Sequence, residues 1–147
     1  MDTVSYPVSF LSSSDDEFIG NRLVIPVIGV ESQIHEGGEE ALDKGVWHRP
    51  GTSNPVEEGN MVLTGHRFLY TGFNKNTFYN LDKLKIGDEI IVYWEGREYV
   101  YLVIDKKVVE DTDVYVEGDF GDERVTLYTC HPLWSADKRL VIVGKPL

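Results

Sequence analysis

An all-β protein whose strands close into a barrel is what this sequence predicts, and three observations carry the prediction. Seven or eight short segments have the apolar or alternating pattern of strands. Two of them are separated only by Glu95-Gly96, a two-residue hairpin signal. Helical patterning is confined to a turn or two near residues 39–44 and 79–84, with no repeat, low-complexity tract or heptad. Many short strands and so little helix point to a closed barrel with one or two short helices.

Residues 1–21 are rich in Ser and Asp, with weakly patterned aromatics at Tyr6, Phe10 and Phe18, and read as a loosely held arm. They lack a basic stretch followed by an apolar one, so they are not a secretory signal peptide. Residues 22–147 form the folded domain. Residues 22–30 (RLVIPVIGV) are a continuous apolar run of strand length, in which Pro26 forces an edge or a bulge and Gly29 allows a bend. Residues 31–36 continue as its partner, with His35 at the surface. Gly37-Gly38 then breaks the chain, and residues 39–44 make a turn or two of helix.

Residues 45–52 have loop chemistry, with Pro50-Gly51 as a turn signal. Gly59-Asn60 leads into a strand over residues 61–66 that finishes on His66. Residues 68–78 are a connection containing Gly and Asn, and residues 79–84 form a helical turn. Residues 89–94 (EIIVYW) and 97–104 (REYVYLVI) are the two strands of the hairpin, the second extended by residues 106–110. An acidic loop over residues 111–123 follows, interrupted by Val114-Tyr115-Val116. Val125, Leu127 and Thr129 then alternate with Thr126, Tyr128 and Cys130, giving a strand that ends at the cysteine and is stopped by Pro132. Residues 140–143 make the final strand, with Arg139 at its start.

A chain of 147 residues suits one domain with its own core. With 41% hydrophobic residues it is an ordinary globular composition, and no apolar run approaches the roughly 18 residues that cross a bilayer. A net charge of −11 argues against nucleic acid, whose phosphates require a basic face; the acidic surface is a solvated, self-repelling one. The single cysteine excludes an internal disulfide.

That cysteine stands at one strand's end and Arg139 at the next strand's beginning. The pairing suits attack on a carbonyl followed by stabilisation of the oxyanion. An unperturbed thiol, with a pKa near 8.5, is only a few per cent ionised at neutral pH, so a neighbouring cation raises its reactive fraction. Arginine keeps its proton and cannot serve as the base, but its fork of donors fits a developing oxyanion. His66 also stands at a strand end, just after a glycine that permits close approach. The pattern alone is equally served by Cys130 as a small buried hydrophobe and His66 as a polar strand cap.

Three separated motifs carry a family resemblance. Thr126-Leu127-Tyr128-Thr129-Cys130 resembles the TLxTC signature of the sortases, cysteine transpeptidases of bacterial cell surfaces, and Arg139 falls where their essential arginine follows. Leu63-Thr64-Gly65-His66 is similar to the segment bearing their histidine. Trp47-His48-Arg49-Pro50-Gly51-Thr52, through Gly59-Asn60, resembles the region preceding it. The resemblance runs from about residue 22 to residue 147 and is specific because the motifs occur in order. It implies an eight-stranded barrel with Cys130 as nucleophile, His66 as acid and base and Arg139 as the electrostatic group. The implied reaction cleaves a Leu-Pro-x-Thr-Gly-like sorting signal between Thr and Gly through a thioester. The acyl group then passes to a cell-envelope amine.

The implied partners are surface proteins bearing a C-terminal sorting signal, and a peptidoglycan precursor or other amine acceptor; nucleic acid is not among them. The implied location is the extracellular face of the bacterial membrane, on a tether expected in the full-length protein and not found in these residues. Thr129, Leu127, His131 and Thr64 border the expected nucleophile and histidine and are candidate substrate contacts. The 111–123 loop leads into the Cys130 strand and is expected to form one wall of the substrate groove. No cofactor is implied beyond calcium, which some sortases bind between acidic loops; Glu57, Glu58, Glu117 and Asp119 are the candidates here, as hard carboxylate oxygens suit Ca²⁺. The sequence departs from the pilin-polymerising pattern, since Asp15-Asp16-Glu17-Phe18 matches its aromatic lid motif poorly.

Rival readings fit less well. An L,D-transpeptidase places His and Gly just before its cysteine, and a papain-like hydrolase places its cysteine near the mature N-terminus, ahead of a distant histidine. A non-catalytic barrel binding module would leave Cys130 inert. A metal site of Cys130, His131 and His66 lacks paired ligand spacing.

Overall fold

Glu95 and Gly96 both have positive φ, 50° and 81°, the geometry of a two-residue turn whose twist matches the strands it joins. In this computed structural model, which describes residues 20–67, 75–131 and 137–147, that turn connects β5 (Glu89–Trp94) to β6 (Arg97–Glu110). The other strands are β1 (Arg22–Ile25), β2 (Val30–His35), β3 (Val46–His48), β4 (Asn60–Thr64), β7 (Arg124–His131) and β8 (Lys138–Pro146). They close in the order β1-β2-β3-β4-β7-β8-β6-β5, so the predicted eight-stranded barrel is what forms.

Most neighbours are antiparallel, whereas β2–β3 and β4–β7 are parallel. The expected first strand over residues 22–30 is divided. Pro26, which has no amide hydrogen to give to the sheet, opens a 3₁₀ turn (Pro26–Ile28), and Gly29, at φ 73°, returns the chain as β2. Further 3₁₀ turns lie at Glu39–Asp43, Leu81–Lys83 and Val114–Glu117, the first two where helical turns are expected. Strand β3 falls within the segment read as loop, because its pairing with β4 comes from tertiary contact and not from local pattern. The expectations for the arm at residues 1–21 and for residues 68–74 of the connection lie largely or wholly outside the described residues.

The interior is filled by alternate residues of every strand, among them Leu23, Met61, Leu63, Ile90, Leu127 and Ile142, each at most 1% exposed. A second, smaller cluster lies on the outer face, where Val109, Val116, Val141 and Val143 pack with Tyr128. A register shift between Val103 and Asp105 lets β6 serve both clusters, with Val103 inside and Val109 outside. The Val114–Glu117 turn lies over this outer cluster. Asn60 holds it there, donating from Nδ2 to the carbonyls of Val116 and Gly118, both at 2.8 Å, while its Oδ1 accepts from the Thr126 hydroxyl at 2.6 Å.

Candidate active site

Strand β7 is the central element, because its two neighbours bring the other candidate residues to its end. On one side the antiparallel register pairs Cys130 with Arg139 and His131 with Lys138. On the other side β4 runs parallel, from Asn60 opposite Arg124 to Thr64 opposite Tyr128. His66 follows Thr64 by two residues as Cys130 follows Tyr128, so both come just past the last pair of this register. The junction is fastened beyond the last pair. The Tyr128 carbonyl accepts from the Thr64 hydroxyl at 3.0 Å and the Gly65 amide at 3.4 Å, and the Thr129 hydroxyl donates to the Gly65 carbonyl at 2.8 Å.

Gly65 packs closely there. A Cβ at that position would meet the Phe78 ring at 3.1 Å, so the close approach the glycine allows is taken by Phe78.

His66, one-third exposed, places Nε2 3.0 Å from Oδ1 of Asp43, at the end of the Glu39–Asp43 turn. Arg139 is partly buried, and one of its terminal nitrogens donates to the Lys138 carbonyl at 2.9 Å. Thr64, His66, Tyr128, Thr129 and Arg139 share the lining of a groove of about 370 Å³. Asp111, Asp113, Val116 and Glu117, in the acidic loop before β7, also line it. The Glu117 Oε2 accepts from the Tyr128 hydroxyl at 2.7 Å and from Arg49 Nε at 3.0 Å, tying the loop to both β7 and the end of β3. Burial and the Glu117 carboxylate hold the Tyr128 phenol well above its usual range, so it stays a neutral donor.

A family model for the sortase domain matches residues 23–147. The chain belongs to the sortase family. Sortase D of Bacillus subtilis (strain 168) is 32% identical over 128 residues, which are 84% of this chain and 61% of that protein. Sortase A of Bacillus anthracis is 28% identical over 136 residues, 90% of this chain and 62% of that protein. The chain thus spans less than two thirds of the length of these two relatives. Among solved structures, sortase C1 of GBS pilus island 1 superposes with a TM-score of 0.79 at 35% identity, covering 86% of this chain and 63% of that one. Sortase C-1 from Actinomyces oris gives 0.78 at 36%, covering 86% and 72%. The similarity is spread over sortases named A, C and D.

Within this sortase domain the candidate substrate contacts separate. Thr64 and Thr129 line the groove, but each is at most 5% exposed and spends its hydroxyl proton on a backbone carbonyl, so neither hydroxyl is a spare donor. Leu127 is not a substrate contact: it is 0% exposed and packs in the barrel interior. The side chains of Cys130 and His131 lie outside what is described. His35 is half-buried, and a Cβ on Gly45 would come within 3.3 Å of its Nε2, so it is less of a surface residue than expected.

Among the calcium candidates, Glu58, Glu117 and Asp119 border a separate hollow of about 220 Å³, and Glu57 is exposed elsewhere on its loop. Glu117 is committed to Arg49 and Tyr128, and among the described residues no three His, Cys, Asp or Glu side chains converge closely enough to hold a metal. No helix among the described residues is long and apolar enough to cross a membrane.

The pattern reading missed Arg49 and Tyr128 as groove residues and Asp43 as the partner of His66. Asp43 and Arg49 are separated from Cys130 by more than 80 positions of sequence, and the β3–β4 and β4–β7 pairings bring their segment beside β7. Tyr128 carried a signal in its alternation with Leu127, since the neighbour of an inward leucine must face out.

Proposed function

We propose that this chain is the catalytic domain of a cysteine transpeptidase of the bacterial cell surface, acting on proteins that carry a Leu-Pro-x-Thr-Gly-like sorting signal. The observation that supports it best is the register around β7, with Arg139 opposite Cys130 on one side and the His66 strand on the other. In this reading the Cys130 thiolate attacks the carbonyl carbon of the signal's Thr and the carbonyl π electrons move onto oxygen. The Arg139 guanidinium stabilises that oxyanion, which its planar fork of donors suits. Collapse of the intermediate breaks the Thr–Gly bond, and the departing amine takes a proton from protonated His66, leaving a thioester on Cys130.

A cell-envelope amine then attacks the thioester, His66 recovers a proton, and the Cys130 thiolate leaves. Asp43 lies where it stabilises the charged ring of His66 between the two steps. The groove beside these residues takes the signal in extended form, with the 111–123 loop as one wall. The substrates are surface proteins with a C-terminal signal, the acceptor a peptidoglycan precursor or another envelope amine, and the location the outer face of the membrane.

Intact-mass measurement after incubation with Leu-Pro-x-Thr-Gly and Leu-Ala-x-Thr-Gly peptides, with and without added amine, tests this. The expected result is an acyl adduct that is absent in Cys130→Ala and consumed by amine. Absence of both adduct and cleavage with either peptide would overturn the proposal.

A further inference from the structure

Arg49 borders the same groove as His66 and Arg139 and, beyond its bond to Glu117, has no part in the chemistry described above. Its guanidinium is held from two directions. Nε donates to Glu117 at 3.0 Å, and the guanidinium carbon lies 4.5 Å from the centre of the Trp47 ring, a cation–π contact. Among the described residues neither terminal nitrogen has a protein acceptor, and the side chain is 31% exposed. Tyr128, two residues before Cys130, lies within electrostatic reach of both Arg49 and Arg139, and all three line the groove.

The charge environment decides what such a group takes. Glu117 offsets the Arg49 charge, Tyr128 is neutral, and Glu39, Asp111 and Asp113 also border the groove. A carboxylate entering there meets other carboxylates, whereas a neutral carbonyl oxygen accepts hydrogen bonds at little desolvation cost.

Resting on the transpeptidase reading, we propose that Arg49 is a second substrate-binding arginine, whose terminal nitrogens hold a backbone carbonyl of the extended sorting peptide beside the scissile bond. It touches no reacting atom. The contact is therefore made equally in ground state and transition state, and its loss falls on KM.

The test measures kcat and KM with a Leu-Pro-x-Thr-Gly peptide for the wild type, Arg49→Lys and Arg49→Met, beside the rate of thiol alkylation by iodoacetamide and the thermal midpoint. Lysine keeps the charge and a partner for Glu117 but loses the fork, so it isolates binding from folding if the methionine variant is unstable. The expected result is a KM raised about tenfold in Arg49→Lys, the scale of one lost charge-assisted hydrogen bond, with kcat, alkylation rate and midpoint close to wild type. An unchanged KM, or a fall in kcat in its place, would overturn the assignment while leaving the transpeptidase reading intact. A wild type that cleaves no sorting peptide withdraws that reading and this one together.

Discussion

Along β5 burial alternates, with Ile90, Val92 and Trp94 inside and Glu89, Ile91 and Tyr93 at least partly open to water, whereas β4 is buried at all five positions. Strand β8 resembles β4, being buried continuously from Leu140 to Gly144. A strand of a single-sheet barrel hides one face in the interior. Burial of the other face means that something outside covers it. On the hairpin half of the wall little does. On the β4–β7–β8 half the cover is the Val114–Glu117 turn and its valine cluster, and the groove opens beside it. The half where period-two burial fails is the half that carries the candidate chemistry, because a groove wall is an added layer on an otherwise complete barrel.

Substitutions on the two faces of the groove half should therefore separate function from stability. The largest effect is expected for His66→Ala, which removes a side chain just past the end of β4. Turnover should fall by roughly 10² to 10⁴, the contribution of a positioned acid–base group, with little change in thermal midpoint. His35→Ala and His131→Ala should cost far less, and an inactive His131→Ala would transfer the acid–base role to that residue.

Leu127→Ala, one residue away from Tyr128 but facing inward at 0% exposure, should do the reverse. It should lose about 2 to 5 kcal/mol of stability in denaturant unfolding, while the folded fraction keeps near-normal kcat. Asn60→Ala tests the link between the faces. It removes both bonds to the 116–118 backbone and strands the Thr126 hydroxyl, so a stability loss of about 1 to 3 kcal/mol should come with faster amide exchange in that loop.

The smallest effect concerns the far end of β7. Asp122 lies between Arg124, at 2.8 and 3.0 Å, and Lys145, at 2.8 Å, which hold its carboxyl well below the usual carboxylate range. A depressed folded-state pKa contributes stability that is fully present above the unfolded value near 3.9 and is lost as pH falls through the lower folded value. The midpoint difference between wild type and Asp122→Asn should then shrink on acidification below about pH 4. A difference that is constant from pH 7 to pH 2 would show that the ion pairs contribute nothing.

The barrel was legible because its signals are local. The Glu95-Gly96 turn dictates its hairpin, and the alternation at residues 125–130 needs no partner to be recognised, whereas the break that Pro26 and Gly29 make in the expected first strand was read only as a bulge or bend. Strand β3 was not, since Val46–His48 is only three residues long and is a strand by virtue of its pairing with β2 and β4. Cys130, His66 and Arg139 were legible as candidates through their motifs and strand-end positions; the pairing sets Arg139 opposite Cys130, and His66 and Arg139 line one groove. Arg49 was hidden as a groove residue, and Asp43 as the partner of His66, because these roles come from contacts between segments distant in sequence. Glu117, named as a calcium candidate from the family resemblance, is paired with Arg49, a contact that no local pattern announces.

Arg139 bears most directly on the claim that the register around β7 builds an active site. Arg139→Lys keeps the charge at the position opposite Cys130 and removes the two-pronged donor geometry. The measurement is kcat/KM on a Leu-Pro-x-Thr-Gly peptide beside the thermal midpoint. A loss of roughly 10² to 10³ in kcat/KM with an unchanged midpoint is the predicted result, the size of a missing oxyanion donor. Near-normal catalysis would contradict it, since a strand-end cation whose only task is surface pairing is worth about 0 to 1 kcal/mol and tolerates lysine.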